Sequence, residues 1–245
     1  MKNAISIKNV SVSYSHVEAI NDITFDINEG EFVCIIGPNG GGKTTLLNTI
    51  LKFIKPYKGC VEIFGKSVKN VSWDITYVPQ ISNVEQRFPI SVKETVMTAF
   101  LKNGLHPFRF FKREESQKAE ELLKLVGLED KGERQVSALS GGEFQRMLIA
   151  RSLAAQRKII LLDEPTANVD PSTRNKIFEI LADLNKKGIT VIIVTHDLAA
   201  AKKYATKLVC VKKDLVYCGE PQITKEITDA LYGENSYITG GFSDD

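Results

Sequence analysis

Lys43 and Thr44 close a glycine-rich run, GPNGGGKTT, that spans Gly37 to Thr45. Gly37, Gly40, Gly41 and Gly42 allow φ > 0 and turn backbone N–H groups inward, a concavity suited to phosphate oxygens at the positive end of a following helix. Pro38, Asn39 and Thr45 belong to the same candidate binding run. Lys43 would bring a mobile positive charge to the β- and γ-phosphates, and the Thr44 hydroxyl is placed to coordinate Mg²⁺. Far downstream, ILLDEP carries two successive carboxylates, Asp163 and Glu164. The first can hold Mg²⁺ through water, and the second can polarise a water that attacks the γ-phosphate. His196, flanked by Thr195 and Asp197, can donate a hydrogen bond to the γ-phosphate and keep water and carboxylate in register. Singly, these groups have plainer readings: a glycine-rich connection, a solvated Asp-Glu-Pro turn, a structural histidine. In this order they point to binding and cleavage of a nucleoside triphosphate.

Such groups must be carried on rigid elements, and the flanking sequence supplies them. Phe32 to Ile36 is an apolar, β-prone run that reads as a buried strand, and Lys43 to Ile54 has helical spacing after it. Strand, glycine loop, helix is the context this phosphate-binding motif requires. Ile159 to Leu162, led in by Lys158, is apolar on both faces and suits a central parallel strand, with Asp163 and Glu164 at its carboxyl end. Val191 to Val194 is a similar run ahead of His196. Ile5 to Gly30 and Cys60 to Phe64 alternate and read as antiparallel strands. The interval from Val92 to Val136 reads as helical, with amphipathic KAEELLKLVGL and Gly127 as a helix stop. Ser140 opens a predicted helix from Gly142 to Gln156, so that its hydroxyl and the N–H groups of Gly141 and Gly142 form a second anion site. Residues beyond Gly219 read as a polar tail whose last six, GGFSDD, fray.

The chain's 245 residues, 43% hydrophobic and 25% charged, suffice for a sizeable core, and alternating strand and helix patterns indicate α/β architecture. No apolar run approaches the roughly eighteen residues a bilayer crossing needs, and Met1 to Ser15 lacks a signal-peptide core, so the expectation is a cytoplasmic protein. Cysteines at 34, 60, 210 and 218 show no CxxC spacing and read as reduced packing thiols. A formal charge of +2 gives no argument for nucleic acid, and no internal repeat is visible. His16 and His106 read as surface residues.

LSGGEFQR, from Leu139 to Arg146 and ahead of the acidic strand, makes the resemblance specific: from Ile5 to about Gly219 the chain resembles the ATPase subunit of an ATP-binding cassette transporter. The resemblance implies a P-loop NTPase (RecA-like) α/β core with an N-terminal antiparallel β subdomain and an inserted helical subdomain. On this chain these divide as 1–91 (β subdomain with the phosphate loop and Gln80), 92–139 (helical subdomain), 140–219 (signature, acidic strand and switch histidine) and 220–245 (tail). Residue by residue, it implies that Tyr14 stacks on adenine, that Gly37 to Thr45 is the Walker A loop and that Gln80 is the Q-loop glutamine, acting in catalysis and as a Mg²⁺ ligand beside Thr44 and Asp163. Ser140, Gly141 and Gly142 become the signature, Glu164 the catalytic carboxylate, Ala167 to Asp170 the D-loop, and His196 the switch histidine. Gly41 stands where alanine or serine is commoner, and Glu143 where many members have glutamine. The implied cofactors are ATP and Mg²⁺.

The same resemblance implies partners. Each Walker A loop would be closed by the signature of a second ATPase subunit, giving a head-to-tail dimer of two copies of this chain, peripheral on the inner face of the cell membrane. Integral membrane permease subunits would dock near Gln80 to Pro89, and a solute-binding protein would act through them. VPQISNVEQRFPISVKETV, in that region, resembles the corresponding stretch in ATPases of zinc, manganese and iron importers, with Phe88 and Pro89 as an apolar seat. HPFRFFKR, from His106 to Arg113, reads either as a segment near a membrane surface or membrane subunit or, in preference, as a plug of the helical insert whose basic stems reach water. A cassette for another substrate, a soluble cassette such as one in iron–sulfur assembly, and a regulatory nucleotide-binding module remain as alternatives, the last disfavoured by having both Glu164 and His196.

Overall fold

A computed structural model describes residues 2–67, 74–80, 89–101, 111–167 and 169–233. The alternating N-terminal stretch forms β1 (Asn3–Tyr14) and β2 (Val17–Asn28), a hairpin turning at Ser15 and His16, both with positive φ. Ile5, Ile7, Val10 and Val12 on β1 and Ile20, Ile23, Phe25 and Ile27 on β2 are buried, while the residues between them largely face water. After β3 (Phe32–Ile36) and α1 (Lys43–Ile50), the strands β4 (Lys58–Ile63) and β5 (Lys66–Ser67) complete an antiparallel sheet in the order β2-β1-β4-β5.

The second sheet is built from the runs that are apolar on both faces. β6 (Ile75–Val78), β7 (Ile159–Asp163), β8 (Thr190–Val194) and β9 (Lys207–Lys212) join β3 in the order β9-β3-β8-β7-β6, all parallel, and β10 (Asp214–Gly219) pairs antiparallel with β9 at one edge. Successive side chains enter different cores, as the period of two demands. Val33 and Ile35 pack with α1 and the antiparallel sheet, while Phe32, Cys34 and Ile36 face the helical layer. That layer contains α2 (Val92–Met97), α3 (Arg113–Leu125), α4 (Gly141–Ala154), α5 (Pro171–Lys186), α6 (Leu198–Tyr204) and α7 (Lys225–Tyr232).

Several boundaries depart from the sequence reading. α1 stops at Ile50 rather than Ile54, because Lys52 takes a left-handed backbone (φ +63) and its Nζ donates to the Val61 carbonyl at 2.7 Å. α4 begins one residue early, at Gly141, and ends at Ala154 before Gln156 turns left-handed (φ +52). Within 92–136 the described helices α2 and α3 are short, and Gly127 (φ +67) does follow the end of α3. Residues 220–233 are not a bare polar tail: α7 buries Leu231 and packs Ile227 and Tyr232 against the core. Phe111 from the HPFRFFKR segment also packs on the core; 106–110, Phe88 and GGFSDD lie outside the described residues. Cys34, Cys60, Cys210 and Cys218 are free thiols, and burial pushes Cys34 up to about 12.

Candidate functional site

Strand order gathers the chemistry. Reading across β3, β8, β7 and β6, the carboxyl ends deliver the loop at Gly37, then His196, then Asp163 with Glu164, then Gln80. An open parallel sheet binds ligands along this edge, where loops leave the strands. Side chains 84 residues apart meet here: Gln80 Nε2 donates to Glu164 Oε2 at 3.2 Å. His196 Nδ1 stands 3.8 Å from the other carboxylate oxygen, Glu164 Oε1, with its ring largely exposed. Glu164 itself is held by a hydrogen bond from its N–H to the Val194 carbonyl at 2.9 Å, with a left-handed backbone (φ +45). A non-glycine residue in that region stores strain of about 1–3 kcal/mol, which persists where the surroundings over-determine the geometry.

The glycine loop is wedged between two hairpins. Gly42, the N-cap of α1, has φ +94, and a Cβ there would lie 2.4 Å from Ile20 Cγ2 and 2.7 Å from the Ala19 carbonyl oxygen. A Cβ on Gly37 would stand 2.0 Å from the Val211 carbonyl oxygen. Gly40 differs from both: among the described residues a Cβ there would meet nothing within 4 Å beyond its chain neighbours, so its left-handed backbone (φ +74) is what favours glycine. The expectation of positive φ at Gly37, Gly40, Gly41 and Gly42 alike fails at Gly41. Close approach explains that glycine instead, since a Cβ would come within 2.9 Å of the Pro38 oxygen and 3.0 Å of the Val211 oxygen. Lys213 N–H donates to the Gly41 carbonyl at 2.9 Å, and Asn21 N–H to the Lys213 carbonyl at 2.9 Å, tying the loop to both hairpins. These braces at Ile20, Val211 and Lys213 carry no motif and were invisible in the sequence.

Charge is unbalanced in this site. Lys43 is buried, and its Nζ donates to the Gly37 and Pro38 carbonyls at 2.8 and 2.9 Å; burial lowers its affinity for a proton, against Glu164 and Asp163, which raise it. Burial first, then the Glu164 charge, pushes the Asp163 carboxyl up to about 6, with Lys43 opposing. Two adjacent carboxylates facing one ammonium form a place where added positive charge is favoured. Thr44 is exposed at the first turn of α1, so its hydroxyl and the Asp163 oxygens are hard donors fit for Mg²⁺ alongside phosphate oxygens. Among the described residues no group of three or more His, Cys, Asp or Glu side chains could hold a metal ion unaided.

Among the described residues no hydrogen bond or ion pair joins Tyr14 or the signature to this cluster. Tyr14, at the end of β1, is exposed, as a stacking surface must be. Ser140 caps α4: Glu143 N–H donates to Ser140 Oγ at 3.3 Å, and Ser140 N–H donates to Glu143 Oε2 at 2.9 Å. Among the described residues no hydrogen bond or ion pair joins Ser140, Gly141 or Gly142 to the Gly37 to Thr45 loop. Position 168 in Ala167 to Asp170 and residues 81–88 after Gln80 fall outside the described residues.

A family model described as ABC transporter matches residues 20–167. The manganese transport system ATP-binding protein of Halalkalibacterium halodurans is 35% identical over 89% of this chain and 87% of its own. The zinc uptake system ATP-binding protein of Listeria monocytogenes is 36% identical over 89% of this chain and 86% of its own. A solved dimer of an ATP-binding cassette in a post-hydrolysis state, bound to ADP and Pi, superposes with a TM-score of 0.77 at 32% identity, covering 90% of this chain and 100% of that one.

Proposed function

The chain belongs to the ABC transporter family, and from that premise we propose that it powers an importer of a divalent metal ion: zinc, manganese or iron. It is an ATP-binding, ATP-hydrolysing cassette, and the observation that carries the finer reading is the naming of relatives at 35% and 36% identity for manganese transport and zinc uptake. The whole chain, 1–245, acts as one ATPase unit. Two copies meet head to tail, each Gly37 to Thr45 loop facing the other's Ser140, Gly141 and Gly142, and permease subunits dock near Gln80 to Pro89, receiving cargo from a solute-binding protein. The dimer works at the inner face of the cell membrane, held there by the permease; no helix among the described residues is long and apolar enough to cross a membrane.

The clustering of Lys43, Asp163, Glu164, Gln80 and His196 supports the following roles, and the family resemblance supports that of Tyr14. Lys43 leaves the Gly37 and Pro38 carbonyls for phosphate oxygens, and Tyr14 stacks on the base. Thr44, Asp163 and Gln80 would hold Mg²⁺, which when bound would neutralise phosphate charge. Glu164, oriented by Gln80, accepts a proton from the attacking water, and His196 donates to the γ-phosphate. Closure of the two chains over nucleotide and reopening after hydrolysis would be passed to the permease through the Gln80 region.

The test is a mild-detergent pull-down of tagged Glu164→Gln protein with ATP, together with turnover of the wild-type complex. The variant should lose at least about a hundredfold in turnover, as expected for a general base, and accumulate as an ATP-bound dimer with a multi-span membrane protein. Turnover of the wild-type complex should rise only when a binding protein loaded with zinc, manganese or iron is added. A soluble partner, or a Glu164→Gln protein with normal turnover, would overturn the reading.

A further inference from the structure

Gly141 and Gly142 are neighbours in the first turn of α4, both with helical backbone, yet their surroundings differ. Among the described residues, a Cβ on Gly141 would meet no atom outside its own turn within 4 Å. On Gly142 it would lie 2.5 Å from Thr173 Cγ2, with Thr173 Cβ and Oγ1 each at 3.4 Å. The shorter separation is far inside contact distance, and the longer ones are ordinary van der Waals contacts. A single methyl group of α5 therefore fills the place a side chain at 142 would need.

Thr173 is poorly able to give way. Its N–H donates to Asp170 Oδ1 at 3.0 Å as part of the α5 cap, and its side chain also hydrogen-bonds the Asp170 carboxylate, which selects one of the two χ1 rotamers open to a helical threonine. The next residue, Arg174, reaches Asp197 Oδ2 through Nη1 at 3.3 Å, and Asp197 caps α6 beside His196. One turn of α5 thus touches the start of α4 on one side and the segment carrying His196 on the other.

We propose that Thr173 is a positioning residue for the signature: its methyl, packed on Gly142, fixes where the first turn of α4 stands relative to the 170–174 turn. Glycine at 142 is then required by a contact inside the chain, while the backbone N–H remains the group offered to nucleotide. The catalytic part of this inference rests on the ATPase dimer proposed above; the packing part does not.

Three full-length variants test it: Gly142→Ala, Thr173→Ala, and the two combined, each followed by melting temperature and by Mg·ATP turnover resolved into kcat and KM. Gly142→Ala should melt lower than wild type and lose about a hundredfold in kcat, the scale of an ångström-sized misplacement. Thr173→Ala alone should lower kcat about threefold with KM unchanged, because the signature is set less firmly while each loop still binds its own nucleotide. The double variant should recover the melting temperature of Thr173→Ala and a kcat within about threefold of it, since only the 3.4 Å Cβ contact remains. Recovery of melting temperature without recovery of kcat would leave Thr173 a packing residue and overturn the positioning role. A double variant as unstable as Gly142→Ala, or a Gly142→Ala protein indistinguishable from wild type, would overturn the contact itself. Wild-type protein without turnover would count against the dimer reading, and melting would still decide the contact.

Discussion

Asp163 ends β7 almost wholly out of water, next to a second carboxylate and within reach of one ammonium. Its carboxyl is pushed from 3.8 to about 6, chiefly by burial, so the folded chain holds this proton more tightly than the unfolded chain does. Between those values the unfolded state releases the proton first, and stability therefore falls as pH rises from about 4 to about 6 and stays lower above. Asp163→Asn, similar in shape but unable to ionise, should be more stable than wild type at pH 7.5 by about 1–3 kcal/mol, with the difference vanishing below about pH 4. Urea unfolding without divalent cation or nucleotide measures it, and turnover should be abolished in the same variant. A less stable Asn variant at pH 7.5 would mean that Lys43 and the loop more than offset the buried charge. The residues at issue here were legible because motif residues follow apolar runs at strand ends. Contacts were not: the Gln80 hydrogen bond to Glu164 and the left-handed backbone at Glu164 arise from strand order and local crowding, which no spacing encodes.

The start of α4 shows what an element's own sequence can and cannot reveal. Ser140 followed three residues later by Glu143 is a capping box on paper and in space, with both reciprocal hydrogen bonds present. The Ser140 N–H, and then Lys131 Nζ at 3.5 Å, hold the Glu143 carboxyl below its usual range. A depressed carboxyl adds stability above its unfolded value of 4.5, and that contribution is lost as pH falls through and below it. Glu143→Gln keeps a cap acceptor but removes the charge at a helix N-terminus, so it should lower stability by about 0.3–1 kcal/mol at pH 7 and by nothing near pH 3. An unchanged unfolding midpoint at pH 7 would show that the charge is idle. By contrast, the ends of α1 and the existence of α7 depended on neighbours. Lys52 leaves the helix to reach the Val61 carbonyl on β4, and α7 has only Ile227, Leu231 and Tyr232 to bury, a stripe that becomes a helix because β9 and β10 are there to cover it.

At the scale of the molecule the glycine loop and the signature sit on different layers, the loop at the carboxyl edge of the parallel sheet and the signature on a helix of the layer packed against it. The α/β class and the order of strands and helices were readable because buried parallel strands are apolar on both faces. That the two groups stand apart in one chain was expected from the family resemblance alone, since no spacing encodes where α4 packs. Gly141 turns this into a test of the dimer. Its backbone is helical, and among the described residues no atom outside its own turn lies within 4 Å of a would-be Cβ, so no described neighbour asks for glycine there. Alanine has the higher helix propensity, by up to about 1 kcal/mol in a helix interior, so Gly141→Ala should melt no lower than wild type. Nucleotide binding to the isolated chain should also be unchanged, because its own loop does the binding. Turnover should nevertheless fall by about tenfold or more, since the added methyl stands between the signature N–H groups and the phosphate brought by the second copy. This pattern differs from Gly142→Ala in melting, which suffers there along with turnover because the clash is internal. Full turnover in Gly141→Ala would mean that no second chain closes over this turn, and the head-to-tail arrangement would have to be given up.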